Sequence, residues 1–426
     1  MLAVAWRGGY TQAGRGATVI LAGAALAVAW RTAPARVQRA GRSAPVLLLA
    51  GLAAFGALSA AWTVGAPADA LRWALVLAAL AALTAAAAAL EPPRPHAAIL
   101  LIVAVAAAAA GIAGAIAHAD RIGLDICGSW RPAGPLEYPP ALALLCVGAL
   151  APALAGALRP GRAQAAAFVV AAWLLAVTAG LSGSRLEVAL AAAALAAVAA
   201  WMPAAGAAPA VACALVALGA TLSALAVGGA LGDDGAPALV AAGLCGPLTA
   251  GAWLAVRGRI GPRARRAPWL ALVCVLGITA VAGSSADERV GGCAYAGLTH
   301  GRTGIWRAAV RTARERPLAG HGLESFLTAS AAQQRRERAV PVQYAHDLPL
   351  EAWVELGVIG ALLVLGLYVA DARAVLRASR ASAVLLGPAV LAFLAANLLD
   401  WPWHLAGCGV AWAIAVGGVL AARAYS

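Results

Sequence analysis

The chain has 426 residues, of which 63% are hydrophobic and only 12% are charged. About a quarter of the residues of an average soluble domain are charged, so this composition excludes a soluble globular protein. The net charge of +13 comes entirely from arginine, because the chain contains no lysine. These arginines lie mostly in short segments between apolar runs, which argues against nucleic-acid binding.

Apolar runs of roughly 20 residues, the length that crosses a bilayer core as a helix, recur along the chain. We predict an all-α, polytopic integral membrane protein with about 12 transmembrane helices and one large outer loop. A shorter apolar stretch at 17–30 is either a thirteenth span or an interfacial helix. The predicted spans are 45–64, 73–90, 96–118, 139–157, 163–182, 186–203, 208–231, 237–256, 268–283, 349–370, 382–399 and 404–422.

Arginine placement orients these spans, because positively charged loops stay in the cytoplasm. The arginine-rich segments share one side by parity: 36–42, 159–162, 257–266 and 373–380. A cleaved signal peptide at 17–30 would place the first of them outside, against this rule. The predicted organisation is an N-terminal segment with a basic cytoplasmic region (1–44), nine spans (45–283), an outer-face loop domain (284–348) and three spans (349–426).

The seven cysteines show no spacing typical of a zinc site. Two of them, Cys127 and Cys293, fall in loops on the predicted outer face. In an oxidising compartment they could form a disulfide that joins the 119–138 loop to the long outer segment. Two free thiols are the equally open alternative.

The segment 284–348 is the longest hydrophilic stretch, so we expect the functional surface there. Residues 303–316 have the pattern of an amphipathic helix, with Trp306 and Val310 on one face and arginines on another, and Pro317 ends it. His346 follows at the boundary with the next span. A histidine there can accept a proton near neutral pH.

Two arginines are candidates for binding an anion such as a phosphate or diphosphate. Arg302 opens the amphipathic helix, and Arg185 lies in a turn between two apolar spans. An arginine at a membrane boundary is costly unless it is paired or used. The alternative interpretation is that each extends to lipid headgroups, that His346 is a hydrogen-bonded structural residue and that Glu355 only pairs with an arginine.

Taken together, these residues resemble the motif of the O-antigen ligase and polymerase superfamily. The resemblance covers roughly 180–422 and includes Ser184-Arg185 and the Asp-Trp turn at 397–404. The stretches that carry it most directly are Gly301-Arg302 with Trp306, then 316–322, then Ala345-His346-Asp347-Leu348, and finally Glu355-Leu356-Gly357.

The resemblance implies a glycosyltransferase of the bacterial cytoplasmic membrane that needs no metal or other cofactor and whose active site faces the periplasm. Its donor would be a glycan linked to undecaprenyl diphosphate. Arg185 and Arg302 would bind the diphosphate, and His346 would act as general base in an inverting displacement. Asp347 departs from the commoner asparagine, and we expect it to alter the basicity of His346 and the choice of acceptor.

The same resemblance implies supporting roles for further residues. Glu187 and Glu355 would orient the arginines, and Tyr344 and His321 would help to bind substrate. The acceptor would be a glycan, a lipid or a protein, which corresponds to a ligase, a polymerase of lipid-linked repeat units or a protein O-oligosaccharyltransferase. A transporter or flippase of lipid-linked sugars is the alternative from a different class, but its polar groups should lie along broken helices in matched halves.

Overall fold

The computed structural model describes residues 10–90, 93–126, 129–201, 208–230, 236–258, 302–337 and 339–421. Every predicted span except 268–283, which lies outside these residues, coincides with a helix. The helices are α1 (Gln12–Thr32), α2 (Pro34–Gly41), α3 (Ala44–Ser59), α4 (Pro67–Ala87), α5 (Arg94–Ile116), α6 (Pro139–Ala157), α7 (Arg162–Leu181), α8 (Arg185–Trp201), α9 (Ala208–Ala230), α10 (Ala236–Val256), α11 (Arg302–Glu315), α12 (Phe326–Gln334), α13 (Leu348–Leu376), α14 (Arg380–Ala396) and α15 (Ala406–Ala421).

Within the described ranges, six helices are long and apolar enough to cross a membrane: α1, α4, α5, α6, α7 and α13. The α2–α3 pair, bent by 68°, adds a seventh if it counts as one span. Parts of α9 and α10, and all of α14 and α15, are shorter apolar helices. The stretch at 17–30 belongs to α1, which has 21 residues and is therefore long enough to span. This all-helical architecture is that of a polytopic membrane protein.

Helix α6 forms the centre of the bundle. Pro139 and Pro140 begin it, and proline fits the first turn of a helix because no backbone donor is needed there. Nearly all of its residues are buried, against α5, α7, α8 and α14. Small residues permit this close approach, since a side chain at Gly148 would press on Ala389 and one at Gly156 on Phe168.

Described residues of three arginine-rich segments lie at one end of this bundle. The Arg257 guanidinium, after α10, donates to the backbone oxygens of Arg159 and Pro160, after α6, at 2.8 and 3.0 Å. At the same end, Arg36 donates to the carbonyl of Ala89 at 3.2 Å. Helices α4, α6 and α13 all run towards this end from the end where residues 302–348 lie.

A two-stranded antiparallel hairpin between α5 and α6 adds a small sheet to the predicted all-α fold. Its strands are β1 (Gly123–Ile126) and β2 (Ser129–Pro132). Gly114 of α5 lies against Gly123, where a side chain on either residue would strike the other backbone. This contact seats the hairpin on α5, at the end of the bundle away from the arginine-rich loops.

Helices α11 and α12 pack on the N-terminal part of α13. The predicted amphipathic helix is present as α11, which ends before Pro317. Trp306 and Val310, which share one face of this helix, are half-buried. Small alanines approach the neighbouring helices more closely than these large residues could, so the buried face consists of Ile305, Ala308, Ala309, Thr312 and Ala313.

Helix α13 breaks at Gly357, whose φ of 63° and ψ of −164° are accessible essentially to glycine alone. The break leaves some backbone carbonyls of α13 without donors from their own helix. The N–H groups of the loop at 317–322 donate to these carbonyls instead. The bonds run from the His321 N–H to the Val354 oxygen at 3.0 Å and from the Gly322 N–H to the Glu355 oxygen at 2.7 Å. The motif stretch at 316–322 is thus hydrogen-bonded to α13 beside the motif stretch Glu355-Leu356-Gly357.

Candidate active site

His346 lies immediately before the N-terminus of α13, with a φ of 55° in the left-handed region that few non-glycine residues adopt. The next residue, Asp347, is the N-cap of α13, and its carboxylate accepts the Leu350 N–H at 2.9 Å. Burial raises the pKa of Asp347, an effect that this capping bond partly offsets. Asp347 therefore caps α13, and a different carboxylate contacts His346.

That carboxylate is Asp400, in the turn between α14 and α15. Its Oδ1 lies 3.0 Å from His346 Nδ1, and only 5% of the residue is exposed. Because an ionised carboxylate can only accept, Nδ1 carries a proton in this contact, and in the neutral form of the ring Nε2 then has the lone pair. The contact thus places His346 in the tautomer that a general base requires.

Tyr138, at the start of α6, supports Asp400 from the other side. Its hydroxyl lies 2.9 and 2.8 Å from the two carboxylate oxygens. Burial, reinforced by the Asp400 charge, raises the pKa of Tyr138 well above its usual value, so the phenol remains a donor. Asp400 is therefore held between two donors that come from different parts of the chain.

Arg302 brings a cation to the same place. One of its terminal nitrogens lies 4.0 Å from Asp400 Oδ1, and 21% of its side chain is exposed. Within the described part of the chain, its guanidinium donates no hydrogen bond. Its planar donors therefore suit a two-point contact with an anionic ligand.

The turn that leads into Arg185 is built from short polar residues. The Ser184 hydroxyl is hydrogen-bonded to Glu187, and the Ser184 N–H donates to the Ser182 hydroxyl at 3.2 Å. Gly183 has a φ of 71° and packs against the guanidinium of Arg131, which donates weakly to the Ser182 carbonyl at 3.4 Å. Burial lowers the pKa of Arg131.

The turn before α8 lies at the same end of the bundle as His346, Asp400 and Arg302. Arg185 is half-buried and opens α8, while Glu187, two residues further on, is 1% exposed. Glu187 lies close enough to Asp400 and Arg302 to interact electrostatically with both. His346 and Arg302 thus meet at Asp400, and α8 brings Arg185 to the same end of the bundle.

The remaining predicted residues are buried in contacts with the protein. His321 Nδ1 lies 3.0 Å from the Val354 carbonyl, and Glu355 accepts the Phe326 N–H at 2.9 Å. The Tyr344 ring, 7% exposed, stacks on Trp401 with centroids 5.2 Å apart. Cys127 and Cys293 lie outside the described residues, so their disulfide stays a prediction.

Another buried histidine, His404, lies in the connection between α14 and α15 that also contains Asp400. Its Nδ1 is 3.1 Å from Glu324 and its Nε2 is hydrogen-bonded to Glu351. Arg15 of α1 completes this charge cluster, 3.6 Å from Glu324. Burial opposes the charging of His404, but the two carboxylates outweigh it and raise its pKa to about 10.

No role is predicted from the sequence for Asp400, Tyr138 or His404. Asp400 and His404 stand in the Asp-Trp turn that carries part of the family resemblance, so a signal for them was present. Tyr138 lies 262 residues from Asp400, and no local pattern links them. Among the described residues, no group of three or more His, Cys, Asp and Glu side chains is arranged to hold a metal ion.

Replacing Gly183 with alanine is expected to destabilise the turn by about 1–3 kcal/mol, because its left-handed backbone strains any other residue. The added methyl would also push the Arg131 guanidinium aside. Gly180→Ala is the matched control, since Gly180 lies in α7 with open space around it. Thermal unfolding in detergent should separate the two; equal midpoints would contradict this account of the turn.

Comparison with known proteins adds one finding. None of the curated proteins compared with the chain matches it. The sequence model of the O-antigen ligase family matches residues 235–365, a range that contains Arg302, His346 and Glu355. This match supports the assignment of the chain to the O-antigen ligase and polymerase superfamily.

Proposed function

We propose that this chain is a glycosyltransferase of the O-antigen ligase type, which moves a glycan from undecaprenyl diphosphate to an acceptor hydroxyl. The observation that carries the proposal is the contact of His346 Nδ1 with Asp400 at 3.0 Å, beside Arg302. A base oriented by a carboxylate, next to a cation, is suited to displacing an anionic leaving group.

The reaction would be a single displacement. His346 Nε2 accepts the proton of the acceptor hydroxyl while the hydroxyl oxygen attacks the anomeric carbon of the donor. The bond from that carbon to the phosphate oxygen breaks, and its electron pair leaves with undecaprenyl diphosphate. Attack from the opposite face inverts the anomeric centre. Arg302 and Arg185 would stabilise the charge on the diphosphate, the role that a metal ion fills elsewhere.

The proposed orientation in the membrane is based on the positions of the arginines. The end with Arg36, Arg159 and Arg257 would face the cytoplasm of a bacterial cell. The end with His346 and Asp400 would face the periplasm, where residues 284–348 form the large outer loop. Counting α1, this arrangement has 13 spans, of which 268–283 lies outside the described residues.

The proposal is tested with purified protein in vesicles that contain an undecaprenyl-diphosphate-linked glycan. Release of undecaprenyl diphosphate with formation of a glycosylated product, in the presence of EDTA, is the expected result. Supplying a lipid core, a second carrier-linked glycan or a protein in separate reactions identifies the acceptor class. Movement of the intact donor across the vesicle without any product would instead indicate a flippase.

Replacing Arg302 with lysine is expected to lower kcat/KM for the donor by about 10- to 100-fold, the value of a lost hydrogen bond to a charged group. An ammonium keeps the charge but cannot make the two-point contact of a guanidinium. Arg314→Lys, an exposed position later in α11, is the control and should leave the rate unchanged. Equal rates for both variants would indicate that Arg302 contacts lipid headgroups and does not bind the donor.

A further inference from the structure

The backbone of His346 needs support from its surroundings. Its φ of 55° is unusual for a residue with a side chain, and the residues on either side are firmly held. After it, the Leu348 N–H donates to the Asn397 carbonyl at 2.8 Å. Before it, Ala345 is completely buried. The direction of the imidazole therefore depends on how the Ala345 backbone is held.

Both polar backbone groups of Ala345 are bonded to side chains. The Ala345 N–H donates to Glu351 Oε2 at 2.6 Å, and the Ala345 carbonyl accepts Trp306 Nε1–H at 3.1 Å. That carbonyl belongs to the peptide bond that leads into His346. Trp306 comes from α11 and Glu351 from the first turn of α13, so two helices grip the segment from opposite sides.

Glu351 is itself anchored by the buried charge cluster described above. Its other oxygen is hydrogen-bonded to His404 Nε2, while His404 Nδ1 is 3.1 Å from Glu324. The His404 ring stacks between Tyr344 and Trp73, with centroid distances of 3.8 and 5.4 Å. A raised pKa keeps this imidazole protonated, so it binds both carboxylates as a cation.

We propose that Trp306 and Glu351 are positioning residues that clamp the Ala345 backbone, and that His404 holds Glu351 in place. The clamp would aim Nδ1 of His346 at Asp400 and leave Nε2 facing the acceptor. This inference rests on the proposed function, because it concerns the base of that reaction. It gives the tryptophan of the family motif a role that needs no contact with substrate.

The decisive comparison is Glu351→Gln against Glu351→Ala. Glutamine keeps an oxygen for the Ala345 N–H while its amide nitrogen donates to Nε2 of a neutral His404, so this variant should retain more of the activity than alanine. Alanine frees Ala345 and should lower kcat by about 100-fold, the effect of a misplaced catalytic group, with an unchanged KM for the donor. Trp306→Phe should lower kcat by about five- to tenfold, since it removes one hydrogen bond.

Trp62→Phe is the matched control. It removes a tryptophan–backbone hydrogen bond of the same kind, from Trp62 Nε1 to the Ala319 carbonyl at 3.2 Å, that does not touch His346. This variant should keep the wild-type kcat. If Glu351→Ala fails to fold, Trp306→Phe against Trp62→Phe decides the question, because both leave the buried charges intact.

A readout independent of transfer separates this inference from the proposed function. In the ¹⁵N spectrum of histidine-labelled protein in nanodiscs, His346→Ala identifies the His346 signals. The wild type should show the Nδ1–H tautomer, and Glu351→Ala and Trp306→Phe should lose it while Glu351→Gln keeps it. An unchanged tautomer in both disruptive variants overturns the clamp, whether or not the wild type transfers a glycan.

Discussion

Replacing His346 with alanine is expected to abolish glycan transfer while the protein and its lipid-linked donor remain at normal levels. General base catalysis contributes about 10²–10⁴-fold, and no other described histidine contacts Asp400. Because the His346 side chain is only 19% exposed, its removal also costs some packing, so the two rates are compared at equal abundance of folded protein. The measurement is the release of undecaprenyl diphosphate by variant and wild-type protein at equal abundance.

His118→Ala is the matched control for this prediction. His118 is exposed near the hairpin and stacks on Trp130 with centroids 4.9 Å apart. Its loss should leave the rate unchanged. Transfer by His346→Ala at close to the wild-type rate would show that His346 is not the base. A loss shared by both variants would point to general damage at this end of the bundle.

Replacing Asp400 with asparagine is expected to lower kcat nearly as much as His346→Ala does, by about 10²–10⁴-fold. The reason is that the asparagine amide can donate to His346 Nδ1. A donor at that position stabilises the tautomer with the proton on Nε2, which leaves the ring unable to accept one there. The variant keeps the shape of the side chain, so the protein should still fold. The same release measurement, with KM determined for the donor, checks this expectation.

Two further variants sharpen the test of Asp400. Tyr138→Phe removes only the supporting hydrogen bond, and its rate should lie between those of the wild type and Asp400→Asn. Asp69→Asn changes an exposed carboxylate that pairs with Arg72 at the start of α4, and it should have no effect. A wild-type rate in Asp400→Asn would mean that His346 acts without an orienting carboxylate.

Local features of the sequence predicted most of the fold. Helix α6 begins at Pro139 and ends at Ala157, the predicted limits, because a proline pair and a long apolar run mark them directly. Pro317 ended α11 for the same kind of local reason. The arginine-rich loops were predicted to share one side, and among the described residues Arg36, Arg159 and Arg257 lie at one end of the bundle.

The candidate site was only partly predictable. His346 and Arg302 were recognised from their motif and meet at Asp400 in the structure. The carboxylate expected to act on His346 was its neighbour Asp347, which instead caps α13. Adjacency in sequence suggested the wrong partner, since the Asp347 carboxylate accepts the Leu350 N–H at the start of α13 and Asp400 is the carboxylate that contacts His346.

By itself, the amino-acid sequence determined the helices and the arginine-rich end, because apolar run length, proline and charge act over a few neighbouring residues. It also contained the motif that resembles that of the O-antigen ligase and polymerase superfamily, which the family match supports. The tertiary structure alone decided that Asp400 orients His346, that Tyr138 supports Asp400, and that Glu351 and Trp306 hold Ala345. These contacts join residues brought together by packing of helices distant in sequence, and no local pattern encodes such packing.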